Sequence, residues 1–362
     1  MKICYVIESM YNSGGMERVL SVCANALTKY HEISILTLCQ KGRECFFQLS
    51  KDIKHHDLGF TDVKNKSNLK EQLSKFFLCH DFDVVVSLGG IDLYYLHSIK
   101  DDSKKIVWLH FAWNRFVKSG NNIKNKVKGC LQTIKYINEI RKYNHVVVLT
   151  NHDAKVYNRL GINTSTIYNP CTINPIGISD LKYKRVISVG RLDYQKGYDF
   201  LIKAWKIIEQ NHPDWELDIF GDGPKRNELN QLIQDLKVKH VFLRGTSTKL
   251  SDEYRSCSIY VMSSRYEGLG LVLLEASACG LPLISYDCPH GPSDIIEDGK
   301  NGILVEKVGD IEGLAGAINK LIETPTLRDQ MGYNAIRMID QFSLSHITKQ
   351  WIELFDEIVA NN

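Results

Sequence analysis

No two of the ten cysteines are spaced as C-x-x-C, and none stands at an interval from a histidine that suits zinc. The thiols are therefore expected to be free, in a reducing compartment, with no structural metal. No run approaches the roughly 18 apolar residues of a membrane span. The opening MKICYVIESM has one Lys and a short apolar run broken by Glu8, too brief for a secretory leader. These absences predict a cytoplasmic protein. Internal repeats and low-complexity tracts are also lacking, which excludes a solenoid or a tail-dominated chain.

What is present is enough material for two cores: 362 residues, 44% of them hydrophobic. The formal charge of +3 hides an asymmetry, because residues 1–175 hold 24 Lys/Arg against 15 Asp/Glu, while 176–362 hold 21 against 27. The basic excess concentrates in NRFVKSGNNIKNKVKGCLQTIKYINEIRK (114–142). There Arg115, Lys118, Lys124, Lys126, Lys128, Lys135, Arg141 and Lys142 face only Glu139. With Val127, Leu131, Ile134 and Ile137 between the cations, the segment suits a surface helix attracted to anionic lipid headgroups; the alternative is an ordinary solvated basic face. Few aromatics and no binding motif argue against nucleic acid.

Short β-branched runs alternate with amphipathic ones through both halves. KICYVIE, EISILTLC, DFDVVVSLG, KKIVWLHF, HVVVLT and STIYNP read as strands in the first; RVISVG, WELDIFG, VFLRG, SIYVMSS, PLISYD and GILV do so in the second. Such alternation predicts parallel sheets covered on both faces, so each half is expected to be an α/β, doubly wound, Rossmann-like domain. The boundary falls near YNPCTINPIGISD (168–180), where Pro170, Pro175 and Gly177 interrupt the periodicity. The division is 1–172, 173–342 and a last helix within 343–362, expected to pack back on the first domain. Two such sheets with their carboxyl ends turned toward each other would bind ligand in a central cleft.

Glycines follow strands in NSGGME (12–17), SVGRLDYQKG (188–197), FGDGP (220–224) and YEGLGLVLLE (266–275), which suggests backbone brought close to a ligand at several strand ends. Gly268, Leu269, Gly270 and Leu271 would present amides at the start of the helix LVLLEASA, a setting that favours an anion such as phosphate. Arg191 and Lys196, five residues apart, supply two cations at the same edge, matching a diphosphate that needs no divalent ion. Glu275 and Glu267 cannot both touch the phosphates without repelling them. A division of labour fits better: Glu275 takes ribose hydroxyls and Glu267 a sugar on the other side of the diphosphate. The DFD at 81–83 opens a strand, and nothing nearby supplies further ligands, so it is not expected to bind metal.

The pattern Glu267-x7-Glu275, with GRLDYQKG upstream, GDGP between and DCPHGPSDIIEDGKNGILV (287–305) after it, resembles the retaining glycosyltransferases of the GT-B fold in the large family called GT4. The likeness covers essentially the whole chain and is most specific over residues 186–305. It implies that Arg191 and Lys196 bind the donor diphosphate, that Gly221 belongs to the donor loops, and that Gly268 to Leu271 give backbone N–H groups. It also implies that Glu275 holds the ribose and that Glu267 contacts the donor sugar. Gly14 and Gly15 match the glycine loop of the first domain near the diphosphate, and His110 in IVWLHF matches a histidine that approaches the sugar. The implied reaction moves a hexose or N-acetylhexosamine from a UDP-sugar to a glycan acceptor, a lipid-linked oligosaccharide or a lipopolysaccharide core in bacterial surface-polysaccharide synthesis. Three alternatives stay open: a glycosidase using the paired carboxylates, a nucleotide-sugar epimerase on the same fold, and a nucleotide-sugar binding protein without turnover.

Overall fold

Runs of valine, isoleucine and leucine too apolar to face water on either side make the central strands, as burial on both faces of a parallel sheet requires. The computed structural model describes residues 1–61, 68–113, 116, 123–173 and 177–360. The chain divides into two units: Met1–Pro170 together with the segment from Leu344 onward, and Cys171–Ser343. Pro175, in the predicted boundary, lies outside the described residues.

In the first unit seven parallel strands take the order β3-β2-β1-β4-β5-β6-β7. They are β1 (Lys2–Ile7), β2 (Glu32–Thr37), β3 (Lys54–Asp57), β4 (Val84–Ser87), β5 (Lys104–Trp108), β6 (His145–Val148) and β7 (Thr164–Thr166). Six of these match the strands expected from sequence; β3, KHHD, is a polar edge strand whose residues are mostly exposed, so it shows neither alternation nor an apolar run. Cys4, Val6, Leu36, Val85, Val107 and Val146 build the core with Leu69, Leu73 and Phe77 of the helix Leu69–Leu78. Each such side chain removed from water contributes about 1.5–3 kcal/mol before chain entropy is subtracted. The last helix, Leu344–Ala360, packs on the helix Gly15–Leu27, and its buried Trp351 stands edge-on to Trp108, 4.9 Å between ring centroids.

The second unit repeats the plan with six parallel strands in the order β10-β9-β8-β11-β12-β13. They are β8 (Arg185–Val189), β9 (Glu216–Phe220), β10 (Val241–Gly245), β11 (Ile259–Met262), β12 (Leu283–Tyr286) and β13 (Gly302–Val305), matching all six expected strands. Leu201, Trp205 and Ile208 of the helix Tyr198–Asn211 and Leu314 and Ile318 of the helix Ile311–Glu323 cover one face. In both sheets the order reverses beside the first strand, at β1/β4 and at β8/β11. The crevice beyond the carboxyl ends at such a reversal is where open α/β sheets take their ligands.

Candidate active site

The two motif-bearing loops of the second unit follow β8 and β11, the neighbouring strands at its switch point (Ile259 pairs with Val186, Tyr260 with Ile187). Residues 190–197 and 263–270 therefore leave the sheet side by side. Gly197 caps the helix Tyr198–Asn211 at φ 62°, and a Cβ there would lie 2.2 Å from the Ser263 carbonyl oxygen. Only glycine fits so close an approach in a left-handed conformation. The loops are then laced together: Ser263 Oγ donates to Lys196 O (2.9 Å), Arg265 N to Gln195 O (2.7 Å) and Gln195 Nε2 to Tyr266 O (3.0 Å).

This lacing brings Lys196 and Glu267 into contact, Nζ to Oε1 at 2.7 Å, a pairing that their separation in sequence does not show. Ser264 Oγ donates to the same carboxylate oxygen at 2.5 Å. Glu267 is 6% exposed, so its charge is held by a lysine and a hydroxyl rather than by water. Arg191 differs. Its side chain is 71% exposed, with Nε 3.9 Å from Asp193, and is available to an incoming anion.

Beyond Glu267 the chain turns through Gly270, in the left-handed region, into the helix Leu271–Ala278, with no side chain capping its N-terminus. Among the described residues, the amides of Gly268, Leu269, Gly270 and Leu271 donate no hydrogen bond. Unsatisfied N–H groups at a helix start attract negative charge. Glu275, one turn along, is buried and accepts from Tyr254 OH (3.2 Å) and Thr172 Oγ1 (3.3 Å). Gly221 has a structural reason of its own: a Cβ would meet Gly190 O at 2.0 Å, so the loops after β8 and β9 touch backbone to backbone.

In the first unit Gly14 is the N-cap and Gly15 the first residue of the helix Gly15–Leu27, after β1. His110 follows β5; it is buried, its ring lies 4.5 Å from that of Trp108, and Nε2 has no partner among the described residues. Burial pushes the imidazole down to about 3, so it is uncharged at neutral pH. Near it in the strand order, after β4, stands a group that sequence reading passed over. Asp92 is fully buried, accepts from Ser87 Oγ at 2.5 Å, and is pushed up to about 7, chiefly by burial against the opposing pull of that hydrogen bond. Asp83 of the DFD accepts from the Lys2 backbone, and Asp81 lies 3.7 Å from Lys2 Nζ, so both carboxylates serve the strand start.

In the basic segment, Arg115 and Lys118 and the side chains of Lys124 and Lys126 lie outside the described residues. The helix Ile123–Ile140 buries Gly129, Thr133, Tyr136 and Ile140 on one face. Val127, Leu131 and Ile134 are 56%, 65% and 57% exposed, and their i, i+4, i+7 spacing sets them in one stripe on the opposite face. Lys128 and Lys135 both lie along one side of that stripe, Lys135 with its Nζ 5.7 Å from the Tyr94 ring centroid, while Lys142 is tied to Glu139 at 2.8 Å. Among the described residues, no helix is long and apolar enough to cross a membrane.

Tyr254, Thr172, Ser264 and Arg265 are the site contributors that sequence reading missed. Arg265 and Ser264 are sequence neighbours of Glu267 and carried a signal by adjacency; Tyr254 and Thr172 reach Glu275 only through the fold.

Two Rossmann-like units of parallel sheet, the second with cations and bare amides at its switch point, are the architecture of the GT-B class. Residues 173–338 match the family described as glycosyl transferases group 1, so the second unit carries a domain of that family. An uncharacterized glycosyltransferase of Haemophilus influenzae is 28% identical over 360 residues, covering 97% of this chain and 98% of its own. A Campylobacter jejuni enzyme, named GalNAc-alpha-(1->4)-GalNAc-alpha-(1->3)-diNAcBac-PP-undecaprenol alpha-1,4-N-acetyl-D-galactosaminyltransferase, is 27% identical over 371 residues, covering 99% of each chain. The fold is shared with Anabaena HepE, solved in complex with UDP, at a TM-score of 0.79 and 19% identity, over 99% of this chain and 100% of that one.

Proposed function

We propose that the protein transfers a hexose or N-acetylhexosamine from a UDP-sugar, with retention of anomeric configuration, to a lipid-linked glycan in the synthesis of a bacterial surface polysaccharide. The observation that carries this reading is the juxtaposition of Lys196 with Glu267 beside the open amides of 268–271, one helical turn from Glu275. The diphosphate takes the amides, Arg191 and Lys196; the ribose takes Glu275; the sugar takes Glu267. With two cations and a helix start supplying positive charge, no metal ion is required.

In the reaction the bond between the anomeric carbon and the phosphate oxygen breaks, and charge grows on the leaving diphosphate. Arg191, Lys196 and the amides stabilise that charge where it develops. The same phosphate oxygen takes the proton of the acceptor hydroxyl as the new glycosidic bond forms. His110, being uncharged, serves the donor sugar as a hydrogen-bonding group and not as an acid. The three alternatives lack a specific observation in their favour: a glycosidase has no use for paired cations at a helix start, and the epimerase and binding-protein readings use the donor residues without needing an acceptor.

Calorimetric titration with UDP, GDP and ADP in the absence of metal tests the donor assignment. UDP is expected to bind selectively, and Glu275→Gln to weaken it roughly tenfold, the loss of charge-assisted hydrogen bonds to ribose. Equal affinity in the variant would remove Glu275 from the nucleotide, and no binding of any of the three would overturn the donor reading.

The lipid-linked acceptor is supported by the name of the Campylobacter jejuni relative and by the exposed stripe Val127, Leu131, Ile134 with Lys128 and Lys135 along one side of it. Apolar side chains facing outward beside a row of lysines suit peripheral contact with an anionic bilayer surface. Co-sedimentation with phosphatidylglycerol vesicles, but not with phosphatidylcholine vesicles, is the expected result, and Leu131→Glu should reduce it several-fold. Binding that ignores both lipid charge and this variant would refute the assignment.

A further inference from the structure

We infer that Arg265 is a positioning residue for sugar transfer: it clasps the loop carrying Lys196 to the loop carrying Glu267, and so fixes the spacing between diphosphate and sugar. This rests on the donor reading given above. A third cation, two residues before Glu267 and beside the loop of Arg191 and Lys196, invites the view that it too grips phosphate, but its geometry points elsewhere. The guanidinium forks onto Asp199, Nη1 to Oδ1 at 2.9 Å and Nη2 to Oδ2 at 2.8 Å, and Nη1 also donates to Tyr194 O at 2.8 Å. Its two neighbours in ring contact are Tyr194 and Phe200, each with its centroid 4.1 Å from the guanidinium carbon. The side chain is 15% exposed. An arginine with its fork occupied and rings against it has little left to offer a ligand.

What it touches is informative. Tyr194 belongs to the loop 190–197, two residues before Lys196, and Asp199 and Phe200 lie in the first turn of the helix that follows Lys196. Arg265 itself stands two residues before Glu267 and gives its own amide to Gln195 O. Every partner of the side chain thus lies on the Lys196 side, and the backbone of Arg265 leads directly into Glu267. Because Lys196 and Glu267 meet at 2.7 Å, a small slip between the loops would separate them, and site geometry loosened by an ångström is costly to the chemistry. Lysine cannot substitute, since an ammonium neither forks onto a carboxylate nor lies flat between rings.

The test is a double-mutant cycle on UDP affinity with wild type, Arg265→Lys, Lys196→Ala and the double variant, each with its melting temperature recorded. Arg265→Lys is expected to weaken UDP on the order of tenfold, and to cost at most about twofold more when Lys196 is already absent, because its effect passes through Lys196. A full tenfold loss in both backgrounds, or none in either, overturns the inference. If wild type fails to bind UDP, it is the donor reading that falls. If Arg265→Lys does not fold, Tyr194→Leu carries the same test, because the Tyr194 ring is largely exposed and its removal frees one face of the guanidinium; the expected coupling has the same sign and a smaller size, and an additive result overturns the inference.

Discussion

Replacing Lys196 by Ala is expected to slow sugar transfer by roughly a hundredfold, about 3 kcal/mol of lost stabilisation of the departing diphosphate. The pairing with Glu267 gives this variant a second consequence. Removing the lysine leaves a carboxylate that is 6% exposed with Ser264 as its remaining bonded partner, and an unpaired buried charge is destabilising. Lys196→Ala should therefore lower the melting temperature as well as the rate. Arg191→Ala should lower the rate on a similar scale with little change in stability, since its side chain is exposed and the Asp193 carboxylate is 3.9 Å away. Adding Glu267→Gln to Lys196→Ala separates the two effects: stability should recover, because the orphaned charge is gone, while turnover should not. Single-turnover rates with a UDP-sugar and thermal unfolding of the four proteins check this. Near-normal turnover in Lys196→Ala would take the residue out of the site, and recovery of turnover in the double variant would show that the lysine matters only as the partner of Glu267.

The sheets were legible because fully buried parallel strands must be continuous apolar runs, and YVI, VVV and YVM announce themselves in that way. β3 escaped since an edge strand such as KHHD is under no such demand. The loops were legible through glycine, whose presence at 197 follows from a carbonyl 2.2 Å from where a Cβ would stand. Sequence spacing could not reveal what those loops do to each other. Lys196 and Glu267 are 71 residues apart, and their ion pair depends on β8 and β11 being neighbours, a fact of strand order. Tyr254 and Glu275, 21 residues apart, meet for the same kind of reason. Asp92 was passed over because an aspartate after a glycine pair reads as a turn residue; only burial makes it unusual.

Burial at the carboxyl edge of the first sheet also sets up two opposed titrations. His110 is pushed down from its ordinary value to about 3, so the folded protein rejects a proton that the unfolded chain accepts. Its contribution to stability is present above about pH 6.5 and is lost as pH falls toward 3, at about 1.4 kcal/mol per pH unit. Asp92 is pushed up to about 7, so the folded protein keeps a proton that the unfolded chain releases. Its contribution is present below about pH 4 and is lost as pH rises toward 7, at the same rate. Between pH 4 and 6.5 the two slopes oppose and largely cancel, and the part of wild-type stability that depends on them should be nearly flat. Single substitutions expose each slope. In His110→Gln the deficit relative to wild type should shrink by about 3 kcal/mol as pH falls from 6.5 to 4, and in Asp92→Asn it should shrink by a similar amount as pH rises over the same range. Urea unfolding of the three proteins at several pH values decides the matter: curves that tilt in opposite directions follow from burial of both groups, and curves parallel to wild type would show that neither titrates as its burial requires.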